Sequence, residues 1–189
     1  MPGLFNFTAA KQYYMHLLQQ FNQTISQWID SLDSYTLEML CTKPAAAAWS
    51  LGQVYVHIAA DTAYFINEMA ACLQSTANSN EVMHPHASTM LRNNAFPDTL
   101  IQGPATVSSV PQPASKEALL QQLHAVQQQV NDLCARYPVE ASTGKSRHPG
   151  LGYFNAAEWL HFAEIHMRHH FRQKQRIDAQ LFPYTKPAF

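Results

Sequence analysis

Residues 155–180, NAAEWLHFAEIHMRHHFRQKQRIDAQ, read as one amphipathic helix. Trp159, Phe162, Ala163, His166, His170, Gln173 and Ile177 recur at steps of three and four, so a helix places them on one face. Asn155 with Glu158 three residues later is a capping-box pattern that marks the start. The middle of this face is not apolar: it holds two imidazoles and an amide. His166 and His170 are four apart and therefore stack one above the other. Burying them without partners costs about 1–3 kcal/mol each. One divalent ion shared between them answers that cost, and so do ordinary hydrogen bonds in a wet groove. Spacing alone leaves both open.

Three further segments carry the same periodicity. From about Thr8 to Leu32, Tyr14, Leu17, Leu18, Phe21, Ile25, Trp28 and Ile29 form a stripe, with Asn6 or Thr8 as the expected cap. Ser50-Leu51-Gly52-Gln53 is a second capping box, opening a helix that runs to about Ser75 on the stripe Leu51, Val54, Ile58 and Phe65. Ser115-Lys116-Glu117 starts a third, facing inward with Leu119, Leu120, Leu123, Val126, Val130 and Leu133 and ending before Pro138. Between the second and third helices, residues 76–114 contain Pro85, Pro97, Pro104, Pro111 and Pro113, and no helical pattern survives there. A loop of that length is expected to be functional or packed across the helices. A shorter loop, His148-Pro149-Gly150-Leu151-Gly152-Tyr153, has glycines suited to tight turns. Four helices joined this way predict an all-α four-helix bundle, with residues 1–189 as one domain.

The totals agree with an interior of that size. Apolar residues make up 47% and charged residues 13%, so uncharged polar groups must cover much of the surface. A formal charge of -1 gives no electrostatic reason to expect nucleic acid or an anionic membrane as partner. Cys41, Cys72 and Cys134 are odd in number and widely spaced, which predicts reduced thiols and a cytoplasmic protein. No signal-peptide pattern opens the sequence and no run of about 18 apolar residues suggests a membrane span.

The remaining histidines separate by context. His57 lies at the edge of its helix stripe, either as a satisfied core residue or as a third ligand. Asp61, one turn on, is placed to fix the tautomer of His57 or to face water. Tyr64 lies three residues beyond Asp61 on the same side. His169 points about 100° away from His170, toward the rim or toward water. Glu158-Trp159-Leu160-His161 spells the E-x-x-H of di-iron bundles, but no second copy exists and that reading fails. His84, His86 and His148 fall in loops, and His16 and His124 on helices, all expected at the surface or core edge, with His148 best placed for a local role because its loop leads directly into the last helix. No cysteine has a neighbouring base at motif spacing, and no nucleophile elbow or nucleotide loop appears.

Two segments resemble the DinB/YfiT-like superfamily. Trp49-Ser50-Leu51-Gly52-Gln53-Val54-Tyr55-Val56-His57-Ile58 is similar to its tryptophan, capped helix start and first histidine. His166-Met167-Arg168-His169-His170-Phe171-Arg172-Gln173 is similar to its C-terminal H-x-x-H-H block. His148-Pro149, Gly152 and Glu158-Trp159, together with Phe96-Pro97 and Ser115–Leu119, look closest to a DUF1569-type subgroup. The resemblance implies a divalent metal held by His57, His166 and His170, with Asp61, Tyr64, His169 and Gln173 as pocket or supporting residues.

Two functions follow as expectations. In the first, a Zn²⁺ or Ni²⁺ ion with an open position activates a low-molecular-weight thiol or a water, giving a thiol S-transferase or a hydrolase for a small molecule. In the second, the bundle is a non-catalytic ligand-binding or homodimeric module, for which Phe5, Phe7, Tyr13, Tyr14 and Trp28 are candidate pocket or interface aromatics.

Overall fold

Each of the four periodic segments becomes a long helix: α1 (Gly3–Ser31), α3 (Leu51–Leu73), α5 (Lys116–Arg136) and α6 (Ala156–Leu181). Shorter elements lie between them: α2 (Leu37–Cys41), α4 (Pro85–Arg92) and the strands β1 (Lys145–His148) and β2 (Gly152–Asn155). The computed structural model describes residues 3–97 and 110–183, with side chains from residue 9 onward. The chain is mainly helical, as its periodicity implies.

Capping signals locate most helix starts. Ser50 Oγ accepts from Gln53 N while Gln53 Oε1 accepts from Ser50 N, and Asn155 and Glu158 do the same at α6. Ser115 Oγ accepts from Ala118 N at α5. The start of α1 departs from expectation. It begins at Gly3, so Asn6 and Thr8 lie inside the helix rather than capping it. The side chains of Phe5 and Phe7 are outside the described residues.

The 76–114 segment also departs from a helix-free loop. Pro85 opens α4, a position where its missing N–H would have no helical acceptor, and His84 Nδ1 accepts from His86 N as the cap. Proline here begins a helix instead of breaking one. The stretch 98–109, which includes Pro104, lies outside the described residues. In the shorter loop, β1 and β2 pair antiparallel from Lys145↔Asn155 to His148↔Gly152. Gly152 has φ +80°, a conformation that glycine adopts without a Cβ clash.

Packing brings α3 against α6 and α5, and α1 against the same two helices, with α3–α6 the most extensive seam. The core holds Phe21, Ile25, Trp28, Leu51, Tyr55, Ile58, Ile66, Met69, Phe154 and Trp159, all fully buried. Trp28 ties three helices together: its Nε1 donates to Met167 O at 3.2 Å, its carbonyl accepts from Tyr55 Oη at 3.0 Å, and its ring stacks on Phe171 at 4.7 Å. Tyr14 is buried with Trp28, while Tyr13 stays exposed.

Charge in the interior is paired. Buried Glu164 accepts from Thr24 and, through both oxygens, from Arg168. Buried Lys174 donates to Asp178 and Tyr35, and Tyr35 donates to the other oxygen of Asp178. Removing one partner from either group leaves a charge uncompensated, which is far costlier than losing an exposed pair. These bonds hold α6 in one rotation and register against α1 and the segment after it.

Ser50 also donates to Gln112 at 2.8 Å, so it both caps α3 and ties down the chain before α5. Ser50→Ala is expected to lower stability by about 1–2 kcal/mol, read as a fall in the urea midpoint with an unchanged slope.

Candidate metal site

Three histidines come together at the α3–α6 seam. His57 sits in the second turn of α3, and His166 and His170 lie one turn apart near the middle of α6. Their Nε2 atoms converge: His57 to His170 is 3.2 Å and His170 to His166 is 3.3 Å. The three rings meet edge to face, with centroids 4.7–5.1 Å apart. Ligand nitrogens around a tetrahedral ion at about 2.0–2.1 Å stand about 3.3–3.4 Å apart. These two separations are close to that edge length, and the three ligand atoms all lie within 4.8 Å of one another.

Protons satisfy this arrangement only in part. Gln173 Oε1 can only accept, so at 2.9 Å it assigns the proton of neutral His170 to Nδ1 and leaves Nε2 a bare lone pair. Asp61 Oδ2, 3.5 Å from His57 Nδ1, favours the same tautomer there. His166 Nδ1 is buried with no hydrogen-bond partner among the described residues. His166 Nε2 can carry its proton and donate to His170 Nε2 at 3.3 Å, but the His57 Nε2 lone pair then faces that of His170 at 3.2 Å, which is repulsive. A cation at the meeting point removes the conflict, and three imidazoles with an aromatic surround suit a divalent transition ion.

Electrostatics hold all three rings neutral. Burial pushes His166 well below its ordinary range, reinforced by the other imidazoles. Burial lowers His170 to about 3, with His57 adding to the shift and the Gln173 bond opposing it. His57 is also lowered by burial, against the pull of Asp61. Neutral imidazole is the form that ligates metal. Partial burial raises the carboxyl of Asp61, and His57 opposes that shift.

Aromatic side chains wall the site. Trp49 meets His57 edge to face at 5.2 Å, Phe65 meets His166 at 5.4 Å, and Phe96 meets His166 at 5.9 Å and His169 at 5.1 Å. The expected supporting residues take different positions. Asp61 and Gln173 touch the imidazoles directly. His169 lies half-buried on the rim, packed on Phe96 and accepting at Nδ1 from Arg172. Tyr64 is exposed, and its ring contacts are Phe65 and Trp159 rather than the histidines.

Two further residues meet this surround, Arg172 and His148, and only His148, in the loop leading into α6, is marked for a local role by its position. Arg172 engages His169 from three residues away, a spacing that was available as a signal. His148 ends β1 and stacks on Trp159 at 5.6 Å, forming part of the aromatic layer behind His166. No local pattern announces that contact. His161 is buried with both ring nitrogens engaged, by Tyr13 Oη at 3.3 Å and Asn94 Oδ1 at 2.8 Å. Glu158 is occupied by its cap. The E-x-x-H segment is therefore structural.

The family model of the DinB superfamily matches residues 20–173, a span that includes all three histidines. No curated protein and no solved structure matches the chain.

The depressed imidazoles set a pH dependence for the metal-free protein. Each binds its proton more weakly when folded than when unfolded, so their stabilisation is complete above about pH 6.5 and is lost progressively as pH falls, for His170 down to about 3. Denaturant midpoints of the metal-free protein should fall between pH 7.5 and pH 5. That fall should be smaller in His170→Gln. An equal pH dependence in both proteins would contradict the assignment.

Proposed function

The chain belongs to the DinB superfamily, and we propose that it is a divalent-metal protein acting on a small molecule through an ion held by His57, His166 and His170. The observation that carries this reading is the convergence of three histidines, with Gln173 and Asp61 beside Nδ1 of His170 and of His57 favouring tautomers that leave those two Nε2 atoms free to ligate. The pairwise packing of the four long helices supports a DinB-type four-helix bundle in one domain. The His148-Pro149 and Gly152 hairpin supports placement in the DUF1569-type subgroup.

When bound, a Zn²⁺ or Ni²⁺ ion supplies the positive charge that acidifies a thiol or a water. The chain's own residues do the rest. Trp49, Phe65 and Phe96 keep water from the nitrogens and offer flat apolar walls to a substrate. Gln173 holds the ring of His170 in place by its bond to Nδ1. At the rim, Arg172 donates to Nδ1 of His169 and holds that ring against Phe96. These walls suit transfer of a low-molecular-weight thiol, with hydrolysis as the water-dependent variant. A cytoplasmic setting agrees with the three free cysteines.

A second reading, a non-catalytic interaction module, draws on a different face. A groove of about 610 Å³ runs along α1 between Lys11 and Asn22, with Met15 half exposed in it and Tyr13 exposed nearby. A second copy of the chain is the occupant proposed under that reading, and sedimentation would detect the homodimer.

The catalytic reading predicts that His166→Ala loses metal binding and all turnover in a screen of thiol-transfer and hydrolytic substrates. Turnover persisting in a metal-free His166→Ala protein would refute it. Chelation should remove the ion while helical circular dichroism persists, because the core stands on Trp28, Tyr55 and the buried ion pairs. Unfolding on chelation would instead indicate a structural metal.

A further inference from the structure

Asp61 occupies a position that steadying His57 does not fully explain. We propose that its carboxylate is a fourth, displaceable ligand of the ion, closing the site at rest and yielding its position to an incoming thiol or other anionic ligand. This rests on the three-histidine reading above.

Distances carry the first part. Asp61 Oδ2 lies 3.7 Å from His166 Nε2, the metal-facing atom of that ring. This is within a few tenths of an ångström of the edge of a tetrahedral site, about 3.3–3.4 Å. The contact with His57 Nδ1 is 3.5 Å, longer than the 2.7–3.2 Å typical of an N–H···O bond. That contact alone does not immobilise the carboxylate. The same oxygen, Oδ2, lies near both His57 Nδ1 and His166 Nε2, so a small rotation of the side chain would turn it from the first toward the ion.

Exposure carries the second part. The Asp61 side chain is 39% exposed, against 15% for His57 and 10% for His166. Solvent therefore reaches this group of residues on the Asp61 side, and a ligand entering there meets the carboxylate before the nitrogens. Among the described residues its ion-pair contacts are the two imidazoles alone, with no Lys or Arg engaged. The seat one turn after His57 on α3 aims Asp61 across the same seam. Three nitrogens and one oxygen would lower the net charge at the site until the carboxylate is displaced, making ligand entry the activating event.

Co²⁺ bound to the untagged full chain serves as the probe, since its visible bands report the donor set without any turnover. Wild type, Asp61→Asn and Asp61→Ala are each titrated with Co²⁺ and then with azide. The inference predicts altered visible bands in both variants before azide is added. It also predicts azide affinity raised about tenfold or more, because the competing carboxylate is gone. A carboxylate that only steadies His57 would weaken Co²⁺ binding about 10–100-fold yet leave the bands and azide affinity as in wild type, overturning the inference alone. Failure of wild type to bind Co²⁺ would overturn the three-histidine reading and this inference with it. The near-isosteric Asp61→Asn, checked by circular dichroism, guards against a folding defect in Asp61→Ala.

Discussion

Three imidazole nitrogens come together at the α3–α6 seam with too few protons to bridge every contact between them, and much of the surrounding structure is arranged around that constraint. Bringing two lone pairs to 3.2 Å in a desolvated pocket is unfavourable in itself, so the backbone must hold them there. Capping boxes at Ser50 and Asn155 fix where each helix begins and hence the phase at which His57, His166 and His170 emerge. Trp28 reaches from α1 to the backbone of Met167, next to His166, and sets the depth of α6. A site built on helices with these anchors is more rigid than one built on loops.

The same helix shows how polar groups are tolerated in an interior. α6 buries Glu164, His161 and Lys174 as well as the site histidines. Each of those three has partners: Glu164 with Thr24 and Arg168, His161 with Tyr13 and Asn94, Lys174 with Asp178 and Tyr35. His166 differs, because its Nδ1 has no partner among the described residues and its Nε2 points at other nitrogens. In a helix where buried polar groups are otherwise paired, that exception is compatible with a metal site.

Much of this was legible from local pattern. The stripe Trp159, Phe162, His166, His170 and Gln173 has helical period, and it predicted both the helix and the stacked pair. The pairing of Gln173 with His170 is an i,i+3 contact that spacing alone implies. What escaped depends on contacts between distant segments or on positional chemistry. Pro85 looks like a breaker until it is seen as the first residue of α4. That His161 is not a di-iron ligand follows from the missing second E-x-x-H, but its actual partners, Tyr13 and Asn94, the latter in a left-handed conformation at φ 49°, do not. Tyr64 shares a helix side with Asp61 by spacing, yet its ring is drawn to Phe65 and Trp159 by aromatic packing. Periodicity gives the face of a helix, but not which neighbour that face meets.

The central claim is that these three histidines hold one metal ion per chain. Elemental analysis of untagged protein, beside His57→Ala and His170→Ala, tests it most directly. The account predicts about one divalent ion per wild-type chain and loss of it in both variants while they remain folded. A well-folded wild type that takes up neither Zn²⁺ nor Ni²⁺ on reconstitution, or variants that keep a full complement of metal, would contradict it.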